Sequence, residues 1–132
     1  MSDFSKVNLL ELEDVAPKFG MDTLSFRGAR DALGGERVAL SHQTVAPGAR
    51  QPFGHRHTQE EEVYVILSGS GRMALGDGVQ EITAHDAIRV APGVPRAFEA
   101  GPEGLELIAF GTPGTGAQDA DQMPGWWPDE AA

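Results

Sequence analysis

His55 and His57 stand two residues apart, and Glu60, Glu61 and Glu62 follow at once, ahead of the apolar run Val63-Tyr64-Val65-Ile66-Leu67. If residues 54 to 58 are extended, both imidazoles leave the same face of the strand. Two neutral imidazoles and one carboxylate on a concave surface suit a borderline divalent ion, and three such ligands leave coordination positions open for substrate or water. The donor set favours iron, manganese, zinc, nickel or copper, whereas calcium and magnesium prefer all-oxygen shells. On spacing alone, two partly exposed histidines beside a solvated acidic run fit the same letters. Cysteine is absent, so thiolate ligands, a thiol nucleophile and a disulfide framework are excluded. No Ser-His-Asp order or dinucleotide fingerprint is visible, and Gly69-Ser70-Gly71 reads as the turn after an apolar strand rather than a phosphate cradle.

The elements that must position these residues read as strands. From Met21 the chain alternates in short runs punctuated by Gly, Pro and Asp, and 17 glycines with 9 prolines are too many for a helical bundle. Candidate strands are Thr23–Arg27, Arg37–Val45, Glu61–Leu67, Arg72–Leu75, Val79–Thr83, Ala87–Val90, Arg96–Ala100 and Leu105–Phe110, a spacing that suggests a sandwich or barrel. Gly76-Asp77-Gly78 marks a tight hairpin, and Ala91-Pro92-Gly93-Val94-Pro95 a second stiff turn. The expected organisation is one all-β domain over residues 21–111. An N-terminal arm, 1–20, is expected to form a helical turn that Pro17 stops, and a flexible acidic tail, 112–132, to carry Trp126 and Trp127.

Ten basic against twenty acidic residues give a formal charge of −10, which argues against nucleic acid or an anionic membrane as partner. A small soluble molecule is the expected ligand. The stretch from Met1 to Asp14 holds four acidic residues and no unbroken apolar run, so it reads as neither signal peptide nor membrane span, and a cytoplasmic location is expected.

The stretch PGARQPFGHRHTQEEEVYVILSGSG, Pro47 to Gly71, resembles the first motif of the cupins: Gly, five residues, His-x-His, three or four residues, Glu, six residues, Gly. His55 and His57 match it. Glu61 and Glu62 both satisfy the spacing to His57, but only Glu62 also keeps the spacing to Gly69, and Gly48 lies one residue too far upstream. The stretch HDAIRVAPGVPRAFEA, His85 to Ala100, resembles the second motif: Gly93 matches, Ala100 stands where Asn is usual, and Arg96 takes the place of a third histidine ligand. The resemblance implies a jelly-roll (double-stranded β-helix) barrel, and activities as different as dioxygenases, isomerases, sugar-modifying enzymes and plain binding proteins.

Arg96 offers no lone pair, so it cannot replace histidine as a ligand. Two readings stand. Either Arg96 and Glu62 form a bidentate pair in a metal-free binding or sensing barrel, or His55, His57 and Glu62 hold a divalent transition metal while Arg96 receives an anionic metabolite. In the second, a metal-dependent oxygenase or isomerase is one possible outcome. Tyr64, Ile66, Met73 and Phe98 are candidate pocket residues, equally explained as core, and Gln51 and Arg50 are candidate polar contacts at the mouth. His42 is read as a hydrogen-bonded wall residue and His85 as a surface-turn residue without a role. Leu9, Leu10, Leu12, Trp126 and Trp127 need covering, so the tail is expected to cap the barrel or a dimer surface, and a homodimer is expected.

Overall fold

The computed structural model describes residues 3–112 and 120–128. Eight strands curl into one antiparallel sheet that folds over on itself: β1 (Leu24–Gly28), β2 (Ala39–Val45), β3 (Phe53–His57), β4 (Glu62–Leu75), β5 (Gly78–Thr83), β6 (Ala87–Val90), β7 (Arg96–Gly111) and β8 (Ala120–Pro124). Two long strands belong to both halves. In one half the order is β1, β2, the end of β7, the start of β4, then β6; in the other it is β5, the end of β4, the start of β7, β3, then β8. This is the jelly roll expected for the chain, and His55, His57, Glu62 and Arg96 lie between its halves.

The strand list needs correction. Glu61–Leu67 and Arg72–Leu75 are one continuous strand, and so are Arg96–Ala100 and Leu105–Phe110. Their glycines, which read as breaks, instead allow the bend from one half to the other. A Cβ on Gly69, where φ is +86°, would stand 1.9 Å from the Gly104 carbonyl oxygen, and one on Gly71 would stand 2.1 Å from that of Glu99. The ladder between β4 and β7 shifts register there, as at a β-bulge. The hairpin between β4 and β5 is as expected: Gly76 at φ +60° opens a two-residue turn closed by the Leu75 and Gly78 pair.

The N-terminal arm holds two 3-10 turns, Leu9–Glu11 and Ala16–Phe19, and Pro17 lies inside the second instead of stopping the first. A one-turn helix, α1 (Arg30–Leu33), precedes β2. The segment expected as a flexible tail departs most from expectation. Ala120–Pro124 pairs along the whole of β3, and Trp127 is buried against Ala74 and Ala97 on the outer face of the second half. Its indole N–H donates to the Gln51 carbonyl at 2.7 Å, and the Arg50 guanidinium lies 3.9 Å over its ring. Beside it the Trp126 ring lies so close to β3 that a Cβ on Gly54 would come within 2.3 Å of it. Trp127 therefore docks within its own chain, which removes it from the case for a dimer surface. Between the halves, Val45, Tyr64, Ile66, Met73, Phe98, Leu105 and Leu107 form the core. Among the described residues no helix is long and apolar enough to cross a membrane.

Candidate metal and anion site

β3 alternates: Gly54 and Arg56 face outward, where Arg56 meets Asp121 of β8, and His55 and His57 face inward. The two imidazole rings stand 5.4 Å apart and perpendicular. Arg96 opens β7 and is paired with His55 across the ladder, so its side chain leaves the same face. Glu62 and Tyr64, two residues apart on β4, come from the opposite half.

All of these groups converge on a single oxygen, Glu62 Oε1. His57 Nε2 lies 3.3 Å from it, His55 Nε2 3.8 Å and Arg96 Nη2 3.7 Å, and the Tyr64 hydroxyl donates to it. The Tyr64 hydroxyl also lies 3.4 Å from His55 Nε2. Ligand atoms of one ion with bonds of about 2.1 Å stand roughly 3.0 to 3.4 Å apart in octahedral or tetrahedral shells. The three donor atoms of His55, His57 and Glu62, all within 4.8 Å of one another, therefore need only a small contraction to hold an ion. The residues fit the group that the sequence pattern calls for.

The electrostatics follow from burial and neighbours. Burial alone would push the Glu62 carboxyl up, but hydrogen bonds from His55, His57 and Tyr64 outweigh it and hold the group well below the usual carboxylate range. Burial would lower His57, yet the hydrogen bond and charge of Glu62 and the charge of Glu60 raise it above 6.5. Tyr64 is pushed well above 10 by burial and by the adjacent Glu62 charge, so its hydroxyl stays a donor. Arg96 is 0% exposed, and its Nε, Nη1 and Nη2 have no hydrogen-bond partner among the described residues. A cation so placed is costly until an anion reaches it.

Other sequence candidates lie elsewhere. Gln51 is not at a mouth: its side-chain oxygen accepts from the Phe98 N–H at 3.0 Å, and it ties the loop before β3 to β7. Phe98 is core, its ring edge-on to Tyr64 at 5.1 Å, and Ile66 and Met73 are core as well. Arg50 binds Glu99 at 2.7 Å, as does Arg72 at 2.6 Å. His42 is a wall residue, 2.8 Å from Glu106, and His85 sits in an exposed turn at φ +76°. Sequence reasoning passed over Glu60. Read as part of a solvated run, it is instead buried, with Oε2 3.2 Å from His57 Nδ1. Two open grooves, about 370 Å³ beside Thr44 and Glu106 and about 550 Å³ beside Arg72 and Glu81, share no residue with the cluster.

The Cupin domain family matches residues 41–110, more than half of the chain and all of the inward-facing cluster. The chain belongs to this family. A cupin protein from Bacteroides fragilis is similar in structure, with a TM-score of 0.70 and 24% identity over 89% of this chain and 91% of that one. Streptomyces Pac13, a nucleoside dehydratase solved with uridine, gives a TM-score of 0.73 at 17% identity, covering 98% of both chains. Oxalate decarboxylase of Bacillus subtilis gives 0.73 at 19% identity over 89% of this cupin and 32% of that chain. These likenesses show the fold. An uncharacterized protein of Methanocaldococcus jannaschii is 32% identical over 65 residues, and the alignment spans about half of each chain, 49% of this one and 51% of that one.

Proposed function

We propose that this cupin binds a divalent transition metal, one of iron, manganese, zinc, nickel or copper, through His55, His57 and Glu62, and receives a small anionic molecule at Arg96. The observation that carries the reading is the fully buried Arg96 guanidinium, without a hydrogen-bonded acceptor among the described residues, beside a two-histidine, one-carboxylate donor set. A bound metal supplies Lewis acidity and open coordination positions. The protein's own groups do the rest. Glu62 and the two Nε2 atoms present the donors, the Tyr64 hydroxyl holds Glu62 in place, and Arg96 offers a fork of N–H donors to a carboxylate or similar group. Family neighbours with oxalate decarboxylase and nucleoside dehydratase activities support a small-molecule ligand without choosing the reaction.

A second reading rests on the ion pair between Arg96 and Glu62: a metal-free barrel that binds or senses a small molecule. Its bidentate form would need two N–H to oxygen contacts near 2.8 Å, whereas one nitrogen stands at 3.7 Å. The test is thermal unfolding with single divalent ions, with chelator, and with small carboxylates. Under the metal reading one ion raises the midpoint, chelator lowers it, and a carboxylate adds a further rise only when the ion is present. A rise with carboxylate alone, unmoved by ion or chelator, selects the metal-free barrel.

The same reading includes a homodimer. Its support is the outward face of the first half, where Leu40, Phe110 and Val63 align across three strands and Ile108 and Val65 across two, with Phe110 and Leu67 each 38% exposed. Light scattering at a mass near 14.0 kDa over a wide concentration range would refute it.

A further inference from the structure

Tyr64 is fully buried, two residues after Glu62 on β4, so both side chains leave the same inward face. It is also the only tyrosine in the chain. Its ring packs edge-on to Phe98 at 5.1 Å, but its hydroxyl ends among the candidate ligand atoms. The hydroxyl donates to Glu62 Oε1 and lies 3.4 Å from His55 Nε2, while His57 Nε2 lies 3.3 Å from the same Glu62 oxygen. A separation of 3.4 Å is that of two donors on one ion, and a phenolic oxygen has lone pairs to give. The contact to Glu62 is a shared proton, and two oxygens that exchange a shared proton for an ion move apart to the same spacing.

We propose that the Tyr64 oxygen is a fourth protein ligand of the metal site, supplying the donor that Arg96 cannot. On coordination the phenolic proton is released to solvent, and the ion takes the place of the proton now shared with Glu62. Charge argues the same way. A divalent ion beside Arg96 brings three positive charges into a buried site where Glu62 is the carboxylate they face and Glu60 the next one, beside His57. The Arg96 guanidinium lies 5.9 Å from the Tyr64 ring, with no hydrogen-bonded acceptor among the described residues. Each excess buried charge is costly, and a phenolate removes one of them before any substrate arrives. A phenolate also selects among the five ions: imidazole, carboxylate and phenolate together suit iron and copper, which accept charge from the phenolate oxygen. The inference rests on the metal reading of the site, and adds to it a ligand and a choice of metal.

The experiment titrates the full chain with cupric ion, and separately with ferrous ion that is then oxidised in air, and records the visible and resonance Raman spectra. A phenolate bound to copper(II) or iron(III) gives a charge-transfer band in the visible, and excitation in that band enhances the tyrosine ring modes. With a single tyrosine present, such modes can come only from Tyr64. The expected result is a band that grows with bound ion in the parent chain and is missing in Tyr64→Phe, which keeps the ring against Phe98 and removes only the oxygen. Calorimetry should show the same variant binding cupric ion about tenfold more weakly, about 1.4 kcal/mol. Affinity alone does not separate a ligand from a hydroxyl that only orients Glu62, whereas the spectrum does. An ion bound to the parent without phenolate modes, or with a band that survives in Tyr64→Phe, overturns the inference and leaves the His55, His57 and Glu62 site standing. Should the variant fail to fold, the Raman spectrum of the parent decides by itself. A parent that binds zinc but neither copper nor iron overturns the inference as well, and a parent that binds no divalent ion at all overturns the functional reading with it.

Discussion

His42, buried, and His57, partly buried, both face a carboxylate, yet they belong to different kinds of place. His42 sits on β2 with Nε2 2.8 Å from Glu106 Oε2, on the outward face where the neighbouring Arg27 reaches the Leu12 carbonyl. Its partner Glu106 is over a third exposed, so water reaches the carboxylate side of the pair. His57 points the other way, into the space between the halves, and shares its carboxylate with a second histidine, a tyrosine hydroxyl and a buried arginine. His42 has one carboxylate to itself on Nε2, and its Nδ1 has no hydrogen-bond partner among the described residues. What marks the inner cluster is the excess of donors over acceptors: two imidazoles, one hydroxyl and a guanidinium meet at one oxygen, a balance that an added cation and anion would redistribute.

The largest effect expected from breaking this contrast is on metal affinity. His57→Ala removes one of the three proposed ligands and should weaken metal binding at least a hundredfold, about 2.7 kcal/mol. His42→Ala should leave it unchanged and cost only stability. Calorimetric titration of both variants checks this, and equal losses in the two would dissolve the distinction between them.

The inner site also depends on what packs behind it. Gly54 lies next to His55 and faces Trp126, whose ring would be 2.3 Å from an added Cβ. Gly54→Ala must push the indole or the strand aside, and we expect a loss of about 1 to 3 kcal/mol of stability, typical of overpacking. Denaturant unfolding measures it. Because β3 carries both histidines, metal affinity should fall with it, whereas a stability loss confined to the tail would show that β8 and Trp126 do not hold the site.

How much of this was legible follows from the range over which each signal acts. His55, His57, Glu62, Gly69 and Gly93 lie in two short stretches whose spacing is fixed by local strand geometry, so the sequence marked them and the jelly roll around them. Arg96 was marked as an intruder for the same reason. Gln51 and Phe98 were read as ligand contacts, but whether a side chain turns to the cavity or back to a neighbouring backbone depends on the facing strand. In this case Gln51 meets the Phe98 N–H. β8 was unreadable because Ala-Asp-Gln-Met-Pro has little strand character of its own and is held by pairing with β3, more than sixty residues away. Glu60 was hidden by its neighbours: three glutamates in a row look solvated, and nothing local shows that one of them is buried beside His57 while the chain around it packs against Gly111.

Arg96→His sharpens the comparison in the other direction, by making the inner cluster more like an ordinary histidine site. It adds an imidazole on the face of β7 aligned with His55 and removes a buried positive charge. Metal affinity should rise at least tenfold, about 1.4 kcal/mol, and binding of a carboxylate ligand should weaken, since the guanidinium fork is lost. Unchanged metal affinity would mean that position 96 does not address the site.

Titration separates the regions by sign. His57 is raised above 6.5 in the folded protein, so it adds stability below that pH which is lost as the pH rises through the folded value. A metal can take Nε2 only when the ring proton count allows it, so metal affinity should rise over the same window and then level off. The gap in thermal midpoint between metal-loaded and chelated protein should therefore widen as the pH rises from below 6.5 through the folded His57 value, and then level off. The Glu62 carboxyl, held low, contributes stability present above its unfolded value near 4.5 and lost only in stronger acid, outside that window. His42→Ala should leave the widening in place, and a gap independent of pH would remove His57 from the ligand set.

The smallest expected effect decides between adjacent residues. Glu61 and Glu62 are both at the right spacing from His57, and only their surroundings separate them. Glu61 is over half exposed and pairs with Arg89, itself over half exposed, at 2.6 Å. Such surface pairs contribute about 0 to 1 kcal/mol, because water and salt screen them and two long side chains must be held still. Glu61→Gln should therefore shift stability by no more than a few tenths of a kcal/mol, and less in high salt, with metal affinity unmoved. Glu62→Gln should remove the carboxylate from the donor set, take away the acceptor that balances Arg96, and weaken metal binding as strongly as His57→Ala does. Running both variants through the same unfolding and titration series makes each the control for the other. If Glu61→Gln weakened the metal and Glu62→Gln did not, the loop before β4 would have to be threaded one residue differently from the arrangement described, with the ligand carboxylate on the face now turned to solvent.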